Sequence, residues 1–183
     1  MNIAALQLET ARLTLRPPRL DEFEAWATFI GDPDNARFLR GPQVRQTAWR
    51  SFMTGAGAWL LQGFAMFSVL EKSSGRWVGQ VSPWMPDSWP GTEVGWMIVR
   101  DCQGMGYATE AATAAIDWAF ATLGWQEVIH VIDPANWASQ AVARKLDSVN
   151  RGSGRLPPPF DALVVDIWGQ SRAQWHARAQ KEL

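Results

Sequence analysis

The chain has 183 residues, which is enough for one well-buried core and short for two, so we predict a single domain over residues 1–183. Hydrophobic residues make up 47% and charged residues 19%, a balance that is typical of a globular protein and argues against intrinsic disorder. The net charge of −1, without a run of Lys or Arg, argues against nucleic acid or an anionic membrane as the main partner.

The first elements in chain order are a strand and two helices. Residues 13–16 alternate apolar and polar side chains as a strand does, and Pro17-Pro18 ends it. Asp21, with Glu24 three residues later, has the spacing of a helix N-cap, and the stretch Gly31-Asp32-Pro33-Asp34 should end the helix that follows. A second helix is predicted over residues 44–61 because apolar residues recur there at helical spacing.

The second half of the chain predicts further strands and helices. Runs at 64–70 and 77–82, joined by Ser73-Ser74-Gly75, predict a hairpin, and residues 93–99 predict the central strand. A helix at 107–123 should end at Gly124. The remaining predictions are a strand at 128–132, a helix at 135–146, a linker-like stretch at 152–159, a strand at 163–168 and a helix at 171–181.

A glycine-rich turn joins the predicted central strand directly to a helix. Its sequence is Gln103-Gly104-Met105-Gly106-Tyr107-Ala108-Thr109. Such a junction gathers unpaired backbone N–H groups at the positive end of a helix dipole, which favours an anionic ligand such as a diphosphate. The two glycines let the backbone approach that ligand closely.

Two common nucleotide-binding motifs do not fit this turn. A dinucleotide fingerprint needs Gly or Ala where Thr109 stands. A Walker phosphate loop needs a Lys and then Ser or Thr after the last glycine, whereas Gly106 is followed by Tyr107 and Ala108. Neither fold is therefore predicted.

The turn does resemble the acetyl-CoA loop of the GNAT superfamily of N-acetyltransferases. Gln103, Gly106 and Ala108 fill the fixed positions of that motif. Downstream, Asn136-Trp137-Ala138-Ser139 with Lys145-Leu146 resembles the second family motif, and upstream Glu93-Val94-Gly95-Trp96 resembles the central strand. The opening LETARLTLRPPRLDEF is similar to the first strand and helix. The three motifs occur in the family's order, and the likeness is greatest to the branch of ribosomal-protein alanine acetyltransferases.

The resemblance implies a fold and a co-substrate. The fold is α/β (α+β), with a central, mixed, mostly antiparallel sheet that is splayed at the acetyl-CoA site and flanked by helices on both faces. Backbone groups of Met97 and Val99 should bind the pantetheine arm, and residues Gln103, Gly104, Met105, Gly106, Tyr107, Ala108 and Thr109 should enclose the diphosphate. Gly95 would allow the strand to distort at the splay.

The resemblance also implies direct attack of an amine on the thioester within a ternary complex. Glu93 is the candidate for removing a proton from the incoming ammonium, directly or through a water; the alternative is a solvated residue or an ion-pair partner. Asn136 should bind pantetheine, with a plain N-cap as the alternative, and Ser139 should protonate the departing thiolate.

Two departures from the family pattern affect these roles. Many members use a Tyr shortly after the Asn as general acid, but the one tyrosine here is Tyr107, which leaves Ser139 or water. Lys145-Leu146-Asp147-Ser148 stands where the family usually has Lys-Leu-Gly-Phe, so an irregular turn is expected after that helix. A catalytically silent acyl-CoA-binding or interaction module with the same fold therefore stays open as an alternative. The expected acceptor is an amine, either a small molecule or a protein N-terminus.

Cysteine, histidine and tryptophan usage completes the expectations. Cys102 is the single cysteine, which fits a reducing compartment; a small buried hydrophobe is a simpler interpretation of it than an acyl carrier. His130 and His176 are too far apart for metal-ligand spacing, so no metal is expected. Most of the twelve tryptophans should be core, with Trp84 and Trp89 as exceptions near the acceptor. No apolar stretch reaches the roughly 18 residues of a membrane span, and Met1-Asn2-Ile3 lacks a signal-peptide layout, so we expect a cytoplasmic protein.

Overall fold

A computed structural model of the chain describes residues 3–179. Its helices are α1 (Phe23–Gly31), α2 (Arg45–Leu61), α3 (Tyr107–Trp118), α4 (Trp137–Lys145) and α5 (Arg172–Ala179). Its strands are β1 (Leu8–Glu9), β2 (Leu13–Arg16), β3 (Phe67–Glu71), β4 (Trp77–Trp84), β5 (Glu93–Ile98), β6 (Glu127–Ile132), β7 (Val149–Gly154) and β8 (Val165–Ser171). By internal contacts the described residues form two units, of which the first comprises the chain up to Ser82 with Trp96–Ala111 and the second Pro83–Gly95 with the chain from Ala112 onward.

The first unit is an antiparallel sheet covered by α1 and α2. Its strands follow the order β1-β2-β3-β4, with the end of β5 next to β4. A cluster of buried side chains joins the helices to the sheet, and its residues are Phe23, Trp26, Phe29, Ile30, Ala36, Ala48, Phe52 and Trp77. The indole N–H of Trp26 donates to the Ala48 carbonyl at 3.0 Å, which ties α1 to α2. Burial of these aromatic rings stabilises this half of the sheet.

The second unit contains the parallel pair of the fold. Its strands follow the order β5-β6-β8-β7; β6 runs parallel to β5 and antiparallel to β8, which is itself antiparallel to β7. The predicted α/β class with a mixed, mostly antiparallel sheet is thus confirmed. The expectation of one domain over residues 1–183 stays a prediction.

Most element predictions are confirmed, with shifted ends. The two-residue strand β1 was missed. β7 was missed as well, and its last residues lie in the stretch 152–159 predicted as linker-like, because its exposed residues and two glycines give no apolar alternation. The predicted N-cap at Asp21 is wrong: a 3-10 turn over Leu20–Glu22 precedes α1, and the Glu22 carboxylate accepts the Arg19 N–H at 2.9 Å. A π-helical turn, Ala119–Leu123, follows α3 and ends at Gly124 with φ 69°. The predicted end of the last helix at Lys181 lies outside the described residues, as do Met1 and Asn2 of the predicted domain.

Candidate active site

The strands β5 and β6 separate immediately after they meet. Within residues 3–179 their pairing is confined to the register of Glu93 with Ile129, whose N–H donates to the Thr92 carbonyl at 2.9 Å. Continued parallel pairing would next join the Val131 N–H to the Val94 carbonyl. Instead Val131 donates to Oε1 of Glu93 at 3.3 Å, and the Val94 carbonyl meets Nδ1 of His130 at 2.6 Å. Two side chains therefore occupy the place of the next ladder bonds.

Glu93 is a buried carboxyl group beside this separation. It is 9% exposed, and its second oxygen accepts the indole N–H of Trp89 at 2.7 Å. Burial raises the pKa of Glu93 to about 7, against the opposing effect of the hydrogen bonds from Trp89 and Val131. A Cβ at Gly95 would lie 3.4 Å from Oε1, so glycine there leaves the space next to the carboxyl open. A carboxyl with this pKa can hold or release a proton near neutral pH.

Trp89 is one of the two tryptophans that the sequence set apart from the core. It is half-buried and packs edge-to-face on Phe160, with ring centroids 5.6 Å apart. Seven other tryptophans are buried, namely Trp26, Trp59, Trp77, Trp118, Trp125, Trp168 and Trp175. The contact of Trp89 with Glu93 was not predicted, because the irregular segment between them does not determine the direction of either side chain.

The glycine-rich turn presents a series of backbone N–H groups. Gly104 and Gly106 have φ of 76° and 85°, in the left-handed region that favours glycine. The N–H of Glu110 makes the first helical hydrogen bond, to the Gly106 carbonyl at 3.0 Å. The N–H groups of residues 104–109 have no acceptor in the described part of the chain. This alternation of conformation at a helix start is a cradle that suits a diphosphate.

Arg12 braces the glycine-rich turn. Its Nη1 donates to the Met105 carbonyl at 2.9 Å, and its Nε and Nη2 lie 2.7 and 2.6 Å from Oε2 of Glu110. The other Glu110 oxygen accepts the Arg12 N–H at 2.8 Å and the Thr10 hydroxyl at 2.6 Å. A Cβ at Gly106 would lie 3.3 Å from Nη2, so the guanidinium lies directly against the turn. Sequence reasoning missed Arg12, because more than ninety residues separate it from the turn.

Tyr107 and Gln103 both turn their polar groups toward the protein. The Tyr107 hydroxyl donates to the Glu71 carboxylate at 2.5 Å, and this bond raises the pKa of Tyr107. The guanidinium of Arg12 packs on the Tyr107 ring, 4.6 Å from its centroid. The Gln103 amide donates to the Ile98 carbonyl at 3.0 Å. These contacts hold both ends of the turn.

The backbone of Met97 and Val99 is directed at β4. The Val99 N–H donates to the Val78 carbonyl at 3.0 Å, and the Met97 carbonyl lies so close to Gly79 that a Cβ there would be 2.0 Å away. Backbone groups alternate between the two edges of a strand. The opposite edge of β5 therefore carries the groups of Trp96 and of Ile98, whose carbonyl already accepts from Gln103.

Asn136 and Ser139 lie at the start of α4. Oδ1 of Asn136 accepts the Ser139 N–H at 3.1 Å, which is the N-cap that the sequence left open as an alternative. The Asn136 side-chain N–H groups and the Ser139 hydroxyl make no hydrogen bond among residues 3–179. Trp137, between them, is 77% exposed. Capping does not prevent either side chain from meeting a ligand.

The turn after α4 is regular despite its unusual sequence. Asp147 adopts φ 59°, the Ser148 N–H donates to the Ala143 carbonyl at 3.0 Å, and the Asp147 N–H to the Arg144 carbonyl at 3.0 Å. This pair of bonds is a Schellman motif with Asp in the position usually held by glycine. The expected irregularity is therefore absent from this turn.

Comparison with known proteins agrees with this geometry. The family model of the acetyltransferase (GNAT) domain matches residues 12–149. The chain belongs to the GNAT family of acetyltransferases, which normally use acetyl-CoA as co-substrate. It is thus an acyltransferase of that family by its sequence and by its fold.

Individual relatives cover nearly the whole chain. An uncharacterized N-acetyltransferase p20 of Bacillus licheniformis is 26% identical over 88% of this chain and 92% of its own length. The acetyltransferase of Agrobacterium tumefaciens strain C58 has a solved structure that is 29% identical, with a TM-score of 0.80, covering 91% of this chain and 95% of that one. The ribosomal-protein-S5-alanine acetyltransferase of Vibrio fischeri, 17% identical with a TM-score of 0.69 over 93% and 98%, shares the fold.

No helix within residues 3–179 is both long and apolar enough to cross a membrane. In the same part of the chain, no group of three or more His, Cys, Asp and Glu side chains is placed to hold a metal ion.

Proposed function

We propose that this protein is an acetyl-CoA-dependent N-acetyltransferase that acetylates a primary amine by direct attack in a ternary complex. The observation that carries the proposal is the carboxyl group of Glu93, which is buried next to the separation of β5 and β6 and has a pKa raised to about 7. Acetyl-CoA, when bound, supplies a thioester carbonyl for the amine to attack. A base whose pKa lies near the working pH is the group that such an attack requires.

Residues of the first unit supply the candidate binding groups. The N–H groups of residues 104–109, with the two glycines and the neighbouring Arg12, suit the diphosphate in charge and hydrogen bonding. For the pantetheine arm we retain Met97 and Val99 as candidates. Because their backbone is directed at β4, we add Trp96 and Ile98 on the other edge of β5.

Residues of the second unit supply the candidate proton transfers. Glu93 accepts the proton of the ammonium, directly or through a water. Asn136 retains its side-chain N–H groups for pantetheine. The Ser139 hydroxyl is the candidate for relaying a proton to the thiolate, taking up a proton from water as it gives its own. The hydroxyl of Tyr107 is bonded to Glu71 and is not assigned this step.

Removal of a proton from the acceptor is easier for an α-ammonium than for an alkylammonium, which favours an α-amino group as acceptor. An α-ammonium has a pKa of about 7.7–8.0, so its proton passes to Glu93 at an equilibrium cost of about tenfold or less. A lysine-type ammonium, with a pKa of about 10.4, would cost more than about a thousandfold. We therefore place protein N-termini and small α-amines ahead of alkylamines. We further propose a cytoplasmic location, because Cys102 is a free, buried thiol.

The test is thiol release from acetyl-CoA with a panel of amines, combined with calorimetry of acetyl-CoA binding. The panel contains a peptide with a free N-terminus, the same peptide blocked at its N-terminus but carrying a lysine, and a polyamine. We expect binding, with the fastest release on the free N-terminus. Absence of acetyl-CoA binding would refute the proposal. Binding without release on any amine would favour the silent acyl-CoA-binding module, which the engagement of Tyr107 by Glu71 supports as second candidate.

A further inference from the structure

A chain of buried hydrogen bonds runs through the second unit and ends at the separation of β5 and β6. Its members are His130 on β6, Ser148 after α4 and Gln170 on β8, which are 1%, 4% and 1% exposed. His130 lies within hydrogen-bond distance of the Val94 carbonyl at 2.6 Å and of the Ser148 hydroxyl at 3.0 Å. Gln170 donates to the same hydroxyl at 3.0 Å and to the Leu146 carbonyl at 2.6 Å.

Donor and acceptor chemistry fixes the direction of this chain. A carbonyl oxygen can only accept, so the proton of His130 must be on Nδ1 and point at Val94. Nε2 is then an acceptor and receives the Ser148 O–H, whose oxygen in turn accepts from Gln170. The Val94 carbonyl, both ring nitrogens of a neutral His130 and the Ser148 hydroxyl are thereby paired, whereas the buried Oε1 of Gln170 has no partner among residues 3–179.

The imidazole takes the place of a strand-to-strand hydrogen bond. In continued parallel pairing the Val94 carbonyl would accept the Val131 N–H, but that carbonyl is bound to His130 and the N–H to Glu93. Both atoms that would extend the ladder are thus satisfied by side chains. Without His130 the Val94 carbonyl would lose this hydrogen bond. Because an unpaired buried carbonyl is costly in free energy, its pairing with the Val131 N–H on β6 would then be favoured.

We propose that His130 is a positioning residue, a wedge that keeps β5 from pairing with β6 beyond Glu93 so that the pantetheine arm of acetyl-CoA has a strand edge to bind. This role rests on the proposed function. It also accounts for Ser148, which stands where the family usually has Phe: the small hydroxyl side chain at that position orients the imidazole.

The first test measures the tautomer of His130 by ¹⁵N NMR on the full chain without ligand. We expect a neutral ring protonated at Nδ1. In Ser148→Ala, Nε2 loses its donor, so the preference for this tautomer should weaken. A wild-type ring protonated at Nε2 would overturn the inference, whatever the enzyme does with acetyl-CoA.

The second test compares acetyl-CoA binding among variants by calorimetry. His130→Val offers no donor, so we expect the strands to pair further and the dissociation constant to rise about three- to tenfold, the size of one lost hydrogen bond. His130→Asn places an N–H where Nδ1 was and should restore most of the affinity. The KM for acetyl-CoA should rise in His130→Val while the KM for the amine stays within about twofold. His176→Asn, at the exposed second histidine, is the matched control.

The outcomes separate this inference from the proposed function. If wild type binds acetyl-CoA and a folded His130→Val binds it equally well, the wedge is refuted and the proposed function stands. If wild type does not bind acetyl-CoA, both fall. Should His130→Val fail to fold, the Ser148→Ala variant provides the test. If the tautomer of His130 and the affinity for acetyl-CoA are both unchanged in Ser148→Ala, the positioning role of His130 is refuted.

Discussion

Trp89 donates its indole N–H to the Glu93 carboxyl group at 2.7 Å and thereby gives a buried acid one of its few polar partners. Burial pushes the pKa of Glu93 up, while this hydrogen bond pulls it down, and the balance lies at about 7. Trp89 therefore influences the pH dependence of the proposed reaction, because its hydrogen bond lowers the pKa of Glu93.

Replacing Glu93 by Gln should lower kcat by at least about a hundredfold, because Gln keeps the size of the side chain but cannot accept the proton. Binding of acetyl-CoA should stay within about threefold, since none of the candidate diphosphate groups is touched. Steady-state kinetics measure kcat, and calorimetry measures the dissociation constant of acetyl-CoA. Glu127→Gln, at the exposed start of β6, is the control. An unchanged kcat in Glu93→Gln would remove this carboxyl from the mechanism.

The pH profile of kcat/KM should rise with pH through about 7, because Glu93 acts as a base only after it has lost its proton. Trp89→Phe deletes the hydrogen bond that lowers the pKa of Glu93. The rising limb should therefore move to higher pH in this variant, while the rate on the high-pH plateau changes less. Kinetics from pH 5 to about 9 with the preferred amine measure the shift. A limb that stays in place, or moves to lower pH, would contradict the assignment.

Loss of Arg12 should weaken acetyl-CoA binding. Arg12→Gln removes the two guanidinium contacts with Oε2 of Glu110 and the cation beside the turn, so we expect a dissociation constant about tenfold higher, as for a charge-assisted hydrogen bond. Arg45→Gln breaks an exposed ion pair with Glu24 and should leave the constant unchanged. Equal affinities of the two variants, both folded by circular dichroism, would show that the brace does not contribute.

Asp147→Gly should stabilise the protein. Asp147 holds a left-handed conformation that costs an L-residue roughly 1 kcal/mol and glycine little. The ion pair lost with it, to Arg178, is long at 3.8 Å and exposed on the Asp side, so it contributes little. Urea unfolding should show a free energy of unfolding higher by up to about 1 kcal/mol. A decrease would mean that the Asp147 side chain has a role beyond the Schellman turn.

Local signals in the sequence predicted the elements well where periodicity was strong. The hairpin of β3 and β4 and the helix α2 follow from apolar alternation and helical spacing. β7 could not be found this way. It is an exposed edge strand without a buried apolar face, and it is held in the sheet by its hydrogen bonds to β8.

For the candidate site, the sequence located residues but not their partners. The turn at 103–109 is contiguous, so its glycines and helix start predict a run of N–H donors without any tertiary information. Arg12 and His130 had no such signal, and Trp89 was set apart from the core without a partner being predicted for it. Their contacts, with Glu110, the Val94 carbonyl and Glu93 respectively, cross long separations or irregular loop.

The sequence by itself determined the family, the strand-turn-helix that suits a diphosphate and the identity of Glu93 as a candidate base, because each depends on neighbours along the chain. Only the tertiary structure decided which backbone edge of β5 faces away from β4, how deeply Glu93 is buried and which side chains bind the Val94 carbonyl and the Val131 N–H. Those properties depend on distances between segments that are remote in sequence, and burial, pKa and hydrogen-bond direction follow from such distances.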